Sequence, residues 1–282
     1  MKVIENKSFG KERALYGMKD LKLHRVHIDG IEDGESALKE CQNILVDDCY
    51  FNLRYPFWHD DKLTIQRSEM TENCRAALWY SHDIMIKDSK LHGIKALREC
   101  KNVTIDHCDI ISPEFGWSTE NIFMNKTTAI SEYFMLRAKN LNFRKVNFQG
   151  KYSFQYIQNA NFEKCDFNTK DAFWHSDNVT VKDSVIKGEY LAWYSNNLTL
   201  IRCKIIGTQP FCYCKNLNLI DCEMIDTDLA FERSEVNATI LSKVQSIKNP
   251  YKGTIRVQDL DSLLYDDENA KGLVYIEKQK GL

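Results

Sequence analysis

The sequence is short of the residues that build loops, linkers and phosphate cradles. Glycine occurs 12 times and proline 4 times in 282 residues, and no glycine-rich phosphate loop, nucleophile elbow or dinucleotide fingerprint is present. A basic excess is also missing. With 38 Lys and Arg against 40 Asp and Glu, the net charge is -2, which removes the positive surface that draws a chain to nucleic acid. No apolar run approaches the roughly 18 residues of a membrane-spanning helix, and the opening MKVIENKSFG has no apolar h-region. The expectation is a cytoplasmic protein with no membrane partner. The seven histidines occupy scattered positions, and the one close pair, His24 and His27, lacks a third convergent ligand. Neither a metal nor a cofactor is expected.

What is present is a repeat. Asn102, Asn121, Asn140, Asn159, Asn178, Asn197 and Asn216 stand nineteen apart, each followed by an apolar-x-apolar pair. Asp20, Asn43, Lys62, Asp83 and Asn237 occupy the same marker slot on either side, with two-residue insertions around Thr71 to Arg75 and before Asn237. Inward apolar positions fall one, three, six and eight after the marker and five before it. In the coil marked by Asn102 they are Val103, Ile105, Cys108, Ile110 and Leu97. Alternation with period two inside short runs broken by polar corners reads as three strands per coil.

Nineteen residues are too few for a helical-hairpin repeat or a propeller blade, and the inward residues lack a leucine-rich signature. The predicted fold is therefore all-β, a single-stranded right-handed parallel β-helix with N- and C-terminal caps, its hand following from the crossover rule. Residues 1–36 are read as an N-terminal cap and first coil, 37–240 as the repeats, and 241–282 as a C-terminal cap or dimerising segment, since strand edges at the ends need cover. The Asn column then forms a ladder at a bend where Asn tolerates left-handed geometry. Its role is structural.

Ten cysteines would suggest disulfides in a secreted protein. Here Cys49, Cys108, Cys165, Cys203 and Cys222 share one slot with Ser68, Ser89 and Ser184, while Cys41, Cys100 and Cys214 share another with Ser81, Thr119, Ala138, Ser176 and Ser195. Interchange with Ser, Thr and Ala marks a small buried position filled by a free thiol. The Asn-x-Thr sequons at Asn102, Asn178, Asn197 and Asn237 are likewise explained by the repeat, because each Asn is a marker.

The opening VIENKSFGKERALYGMKDL, the tandem KNVTIDHCDI, DNVTVKDSVI and NNLTLIRCKI units, and the motifs FWHSDN and AWYSNN resemble a bacterial family known as domain of unknown function 3737. The resemblance covers nearly the whole chain. It implies a right-handed parallel β-helix without an established activity, and it carries no catalytic residues.

The functional signal lies four residues before the marker, where all five tryptophans fall: Trp58, Trp79, Trp117, Trp174 and Trp193. Chance placement in one of nineteen phases has a probability on the order of 10⁻⁵. Lys39 and Arg98 share this column while the preceding column is apolar, so the tryptophans are expected to point outward. The next column holds His59, Tyr80, Glu99, Tyr156, His175, Tyr194 and Tyr213. An aromatic stripe of this extent exceeds what a monomer leaves uncovered. It fits carbohydrate, with rings stacking on sugar faces and Arg98 and its neighbours bonding hydroxyls. It fits equally a homo-oligomer interface, or a face covered by the chain's own C-terminal segment. The leading reading is a noncatalytic binding module. The alternative is a carbohydrate-active enzyme with Glu99 as acid or base, which requires a second carboxyl about 5 to 9.5 Å away.

Overall fold

A computed structural model describes residues 1–30 and 34–277. It contains strands and turns with no helix among the described residues. Contacts group the chain into two compact units, 1–147 and 148–282, and each is a parallel β-solenoid wound from the repeat.

In the first unit the marker face is a ladder of parallel strands, Lys2–Glu5, Lys19–His24, Gln42–Asp47, Asp61–Gln66, His82–Lys87, Lys101–Asp106, Glu120–Asn125 and Lys139–Arg144. Each pairs with the next in constant register, so that Leu21, Ile44, Leu63, Ile84, Val103, Ile122 and Leu141 form one buried column. A second face runs from His27–Ile28 through Tyr50–Phe51, Glu69–Met70, Lys90–His92 and Asp109–Ile111. The insertion at Thr71 to Arg75 is absorbed in a corner turn between the second and third faces.

In the second unit the marker face runs through Gln158–Glu163, Asp177–Lys182, Asn196–Ile201 and Leu217–Ile225 into the longer strands Glu235–Lys248 and Lys252–Leu264, and ends at Leu273–Ile276. The segments expected to close the ends carry paired strands of these same ladders. Lys2–Glu5 lies parallel to Lys19–His24, TIRV lies within the strand paired with Glu235–Lys248, and LVYI pairs with TIRV in turn. Their period-two apolar pattern suits a half-buried strand as well as any repeat coil does.

The marker asparagines behave as a ladder. Asn43, Asn102, Asn121, Asn140, Asn159, Asn178, Asn197 and Asn216 all have φ between 48° and 59°. Amide-to-oxygen bonds link Asn102 to Asp83 (2.8 Å), Asn121 to Asn102 (2.8 Å), Asn140 to Asn121 (2.9 Å), Asn178 to Asn159 (2.7 Å) and Asn216 to Asn197 (2.6 Å). The ten cysteines are free and buried. Their thiols donate to backbone carbonyls, as from Cys74 to Phe51 (3.0 Å) and Cys214 to Ala192 (3.1 Å). Burial pushes Cys41, Cys74, Cys100 and Cys212 up to about 12, so these sulfurs stay protonated.

Candidate functional site

The tryptophans lie on the third face of the coils, and that face is built in two ways. Up to Arg98 it is a three-stranded parallel sheet, Phe57–Trp58, Leu78–Trp79 and Leu97–Arg98. The residue five before the marker donates its amide to the following coil, Phe57 to Ala77 (3.0 Å) and Leu78 to Ala96 (2.9 Å). From Gly116 onward the same position is left-handed, with φ of 78° at Gly116, 59° at Met135, 57° at Phe154, 61° at Phe173 and 64° at Phe211. Its amide now reaches the preceding coil, Gly116 to Leu97 (2.7 Å), Met135 to Phe115 (2.7 Å) and Phe173 to Ser153 (2.9 Å). Gly116 stands where the change begins. A β-carbon there would sit 2.3 Å from the Met135 sulfur, so it is the close approach of the Met135 side chain that favours glycine, since Met135, Phe154, Phe173 and Phe211 adopt the same left-handed φ with a β-carbon.

The indole nitrogens separate in the same way. Trp117 donates to the carbonyl of Tyr133 (2.7 Å), Trp174 to Tyr190 (2.6 Å) and Trp193 to Gln209 (2.8 Å), and the Gln155 amide makes the equivalent bond to Asp171 (3.0 Å). In each case the acceptor is the corner seven residues before the next marker. Trp58 and Trp79, followed by coils of the sheet form, have buried indole nitrogens without a partner.

Within the first unit the column is a stack of cations and rings. Lys39 Nζ lies 4.5 Å from the Trp58 centroid, Trp58 and Trp79 stack at 5.7 Å and 13°, and Arg98 sits 5.2 Å from Trp79 and 5.4 Å from Trp117. Each such cation–π contact contributes about 0.5–1 kcal/mol at a partly exposed site. Lys39 and Arg98 occupy rungs next to those of the tryptophans. In the neighbouring column His59 and Tyr80 are 5.1 Å apart.

Within the second unit Trp174 and Trp193 stack at 5.4 Å and 2°. Beside them Tyr156, His175, Tyr194 and Tyr213 form an unbroken ladder with spacings of 4.9, 5.0 and 4.7 Å and tilts of 10° or less. Tyr156 and Tyr194 are 47% and 48% exposed.

The expected outward tryptophans are thus half-buried, and coil stacking at about 4.8 Å presses aromatic faces against one another. Ring faces between stacked rungs are covered, and the indole nitrogens are either buried or bonded to backbone carbonyls. The faces that Trp58 and Trp79, and Trp174 and Trp193, turn to each other are taken up by that stacking.

Glu99 is half-buried and its carboxylate pairs with the Arg98 guanidinium (3.0 Å). Glu40, the other acid of that column, is three coils away, which at the ladder spacing is roughly 14 Å and beyond the reach of a paired-carboxylate mechanism. Glu40 instead accepts from the Tyr16 hydroxyl (2.5 Å). Of the other acids, Glu114 pairs with Lys95 (3.2 Å), and partial burial holds Asp171 above the usual carboxylate range.

Sequence reasoning missed Asp60. It is 1% exposed and lies two residues before its marker, in the slot that most other coils fill with Cys, Ser, Thr or Ala. One carboxyl oxygen accepts the Cys41 amide (2.8 Å), while the other is buried without a partner. Burial, opposed by the Cys41 bond and reinforced by Glu40, drives its pKa well above that of an ordinary aspartate. The available signal was a carboxylate inside the regular repeat in a column of mostly small residues.

Over residues 2–276 the sequence matches the family described as protein of unknown function (DUF3737). The chain belongs to that family. A search of curated proteins gave no match. Among solved structures it is similar to PfbA, a surface adhesin of Streptococcus pneumoniae, with a TM-score of 0.40 and 10% identity over 86% of this chain and 70% of that one. It is also similar to ORF18 of Geobacillus virus E2, with a TM-score of 0.21 and 12% identity over 92% of this chain and 48% of that one. Both likenesses are too distant to speak to function, so members of DUF3737 have to be read from their own side chains.

Proposed function

We propose that this DUF3737 protein is a noncatalytic binding module that takes an extended carbohydrate chain along its exposed aromatic ladder. The observation that carries the reading is the Tyr156–His175–Tyr194–Tyr213 stack, whose polar edges repeat every 4.7–5.0 Å. A polymer that places a hydroxyl-bearing unit at a similar interval meets one hydroxyl or imidazole per coil. Recognition is then by hydrogen bonds to ring edges, each worth about 0.5–1.5 kcal/mol net, and several in a row are needed for useful affinity.

The test is calorimetric titration with oligosaccharides of increasing length. Affinity is expected to climb until the ligand spans the four rungs and then level off, and Tyr194→Ala is expected to weaken the longest ligand about tenfold. Equal affinity for short and long ligands, or no binding across neutral and acidic glycans, removes the proposal. Release of shortened products that stops in Glu99→Gln would replace it with the enzymatic reading.

A further inference from the structure

Of the ten cysteines, the winding sets one pair in the same slot of successive coils. Six residues after the marker, Cys203 is followed a coil later by Cys222, whereas Cys49 is followed by Ser68, Cys108 by Thr127 and Cys165 by Ser184. Two residues before the marker, Cys41 is followed by Asp60, Cys100 by Thr119 and Cys214 by Ser234. The register around the pair is fixed on both sides. Ile201 stands beside Ile220 and Lys204 beside Glu223, and the Glu223 amide donates to the Cys203 carbonyl (2.9 Å). The α-carbons of Cys203 and Cys222 are therefore one parallel step apart, about 4.8 Å. That lies inside the roughly 4.4–6.8 Å that a disulfide bridges without backbone movement.

Both side chains are buried. The Cys222 sulfur leans back toward the earlier coil, where it lies 3.5 Å from the Leu200 carbonyl and accepts the Cys203 amide. The two thiols are hydrogen-bonded to each other, and that bond holds Cys203 below the usual thiol range against the opposing effect of burial. Cys203 also borders solvent. It forms part of the wall of a corner groove of about 620 Å³, with Arg202 and Lys204 on its own coil and Asp221 and Glu223 on the next. Hydrogen peroxide, little larger than water, fits that groove, and Cys203 is the sulfur placed to meet it.

We propose that Cys203 and Cys222 are a peroxide-sensitive thiol pair that closes reversibly into a disulfide between successive coils. The Cys203 thiolate attacks one oxygen of hydrogen peroxide and the O–O bond breaks. The hydroxide that leaves takes up the thiol proton as water, and Cys203 becomes a sulfenic acid. The Cys222 sulfur then attacks the Cys203 sulfur, the S–O bond breaks, and the sulfenic oxygen departs with the Cys222 proton as a second water. Two electrons pass from the two thiols to the peroxide. A dithiol reductant reverses the bond by thiol–disulfide exchange. The pair lies at the corner between the first and second faces, away from the aromatic ladder, and stands independently of the carbohydrate reading.

Treatment of the native full chain with hydrogen peroxide, followed by thiol counting in denaturant and mass mapping of the joined peptides, tests it. Two of the ten thiols are expected to disappear together, with Cys203 linked to Cys222, and to return on addition of dithiothreitol. Serine already fills this slot at Ser68, Ser89 and Ser184, so Cys203→Ser and Cys222→Ser should both fold. Cys203→Ser should slow thiol loss at least ~10-fold, and Cys222→Ser should yield no intrachain disulfide. Cys100→Ser, which alters a buried thiol with no cysteine beside it in its column, should oxidise as wild type does. Native thiols that all survive excess peroxide, a disulfide joining any other pair, or thiol loss at the wild-type rate in Cys203→Ser overturns the proposal.

Discussion

The third face before Gly116 and the third face after it solve one packing problem with opposite backbones. Before Gly116, Phe57, Leu78 and Leu97 lie in extended strands, and Trp58 and Trp79 keep unpartnered indoles. After it, Met135, Phe154, Phe173 and Phe211 adopt left-handed φ, which costs about 1–2 kcal/mol for a residue with a β-carbon. An indole bond of about 0.5–1.5 kcal/mol and stacking such as Phe154 on Phe173 at 4.9 Å, worth about 0.5–1.5 kcal/mol, offset that cost. Neither form is intrinsically better by much. The choice follows what the neighbouring coil offers.

Four experiments bear on this contrast. The largest effect is expected at the changeover: Gly116→Val adds a branched side chain at φ 78° against the Met135 sulfur, and a loss of about 3 kcal/mol or more by denaturant unfolding is expected. A wild-type midpoint in that variant would show that the changeover does not depend on glycine.

Tryptophan-to-phenylalanine exchange reads the contrast directly. Trp174→Phe strands the Tyr190 carbonyl and should cost about 1–3 kcal/mol. Trp79→Phe removes a donor that has no acceptor, and should cost less than half as much. Equal losses would erase the distinction between the two faces.

Asp60 supplies a pH arm confined to the first unit. Its pKa is raised in the folded chain, whereas in the unfolded chain an aspartate ionises near about 3.9. Stability from this group is therefore complete below that unfolded value and is lost as pH rises toward the folded pKa. Asp60→Asn, which keeps the shape without the charge, should melt higher than wild type at neutral pH, with the difference vanishing in acid. A variant no more stable at pH 7 than at pH 3, relative to wild type, would mean that the buried carboxyl finds a compensating partner.

The smallest effect concerns the cations. Arg98→Met should cost about 1 kcal/mol and should change tryptophan emission, because Arg98 lies against both Trp79 and Trp117. An unchanged spectrum would mean that the guanidinium spends its time on Glu99 alone.

Much of this was legible from spacing. Period two within runs and period nineteen between them force parallel coils, and the interchange of Cys with Ser at 49, 68, 89 and 108 fixes which slots are small and buried. The tryptophan column was equally legible. Its orientation was not, because a column of residues four before the marker records which side chains meet and not whether their faces or edges turn to solvent. Asp60 was hidden for a related reason, since a polar residue in a small slot can be exposed or enclosed according to how the Trp58 and Trp79 coils close over it.

By itself, then, the sequence determined the all-β coil, the Asn ladder, the thiol slots and the membership of every tryptophan in one column, since each is a one-dimensional consequence of repeat length and side-chain alternation. Only the tertiary structure decided the rest. Ring against ring between coils, the peptide reversal that begins at Gly116, and the unpartnered atoms of Trp58, Trp79 and Asp60 depend on contacts between residues a full turn apart, where the backbone of the next coil supplies or withholds the partner.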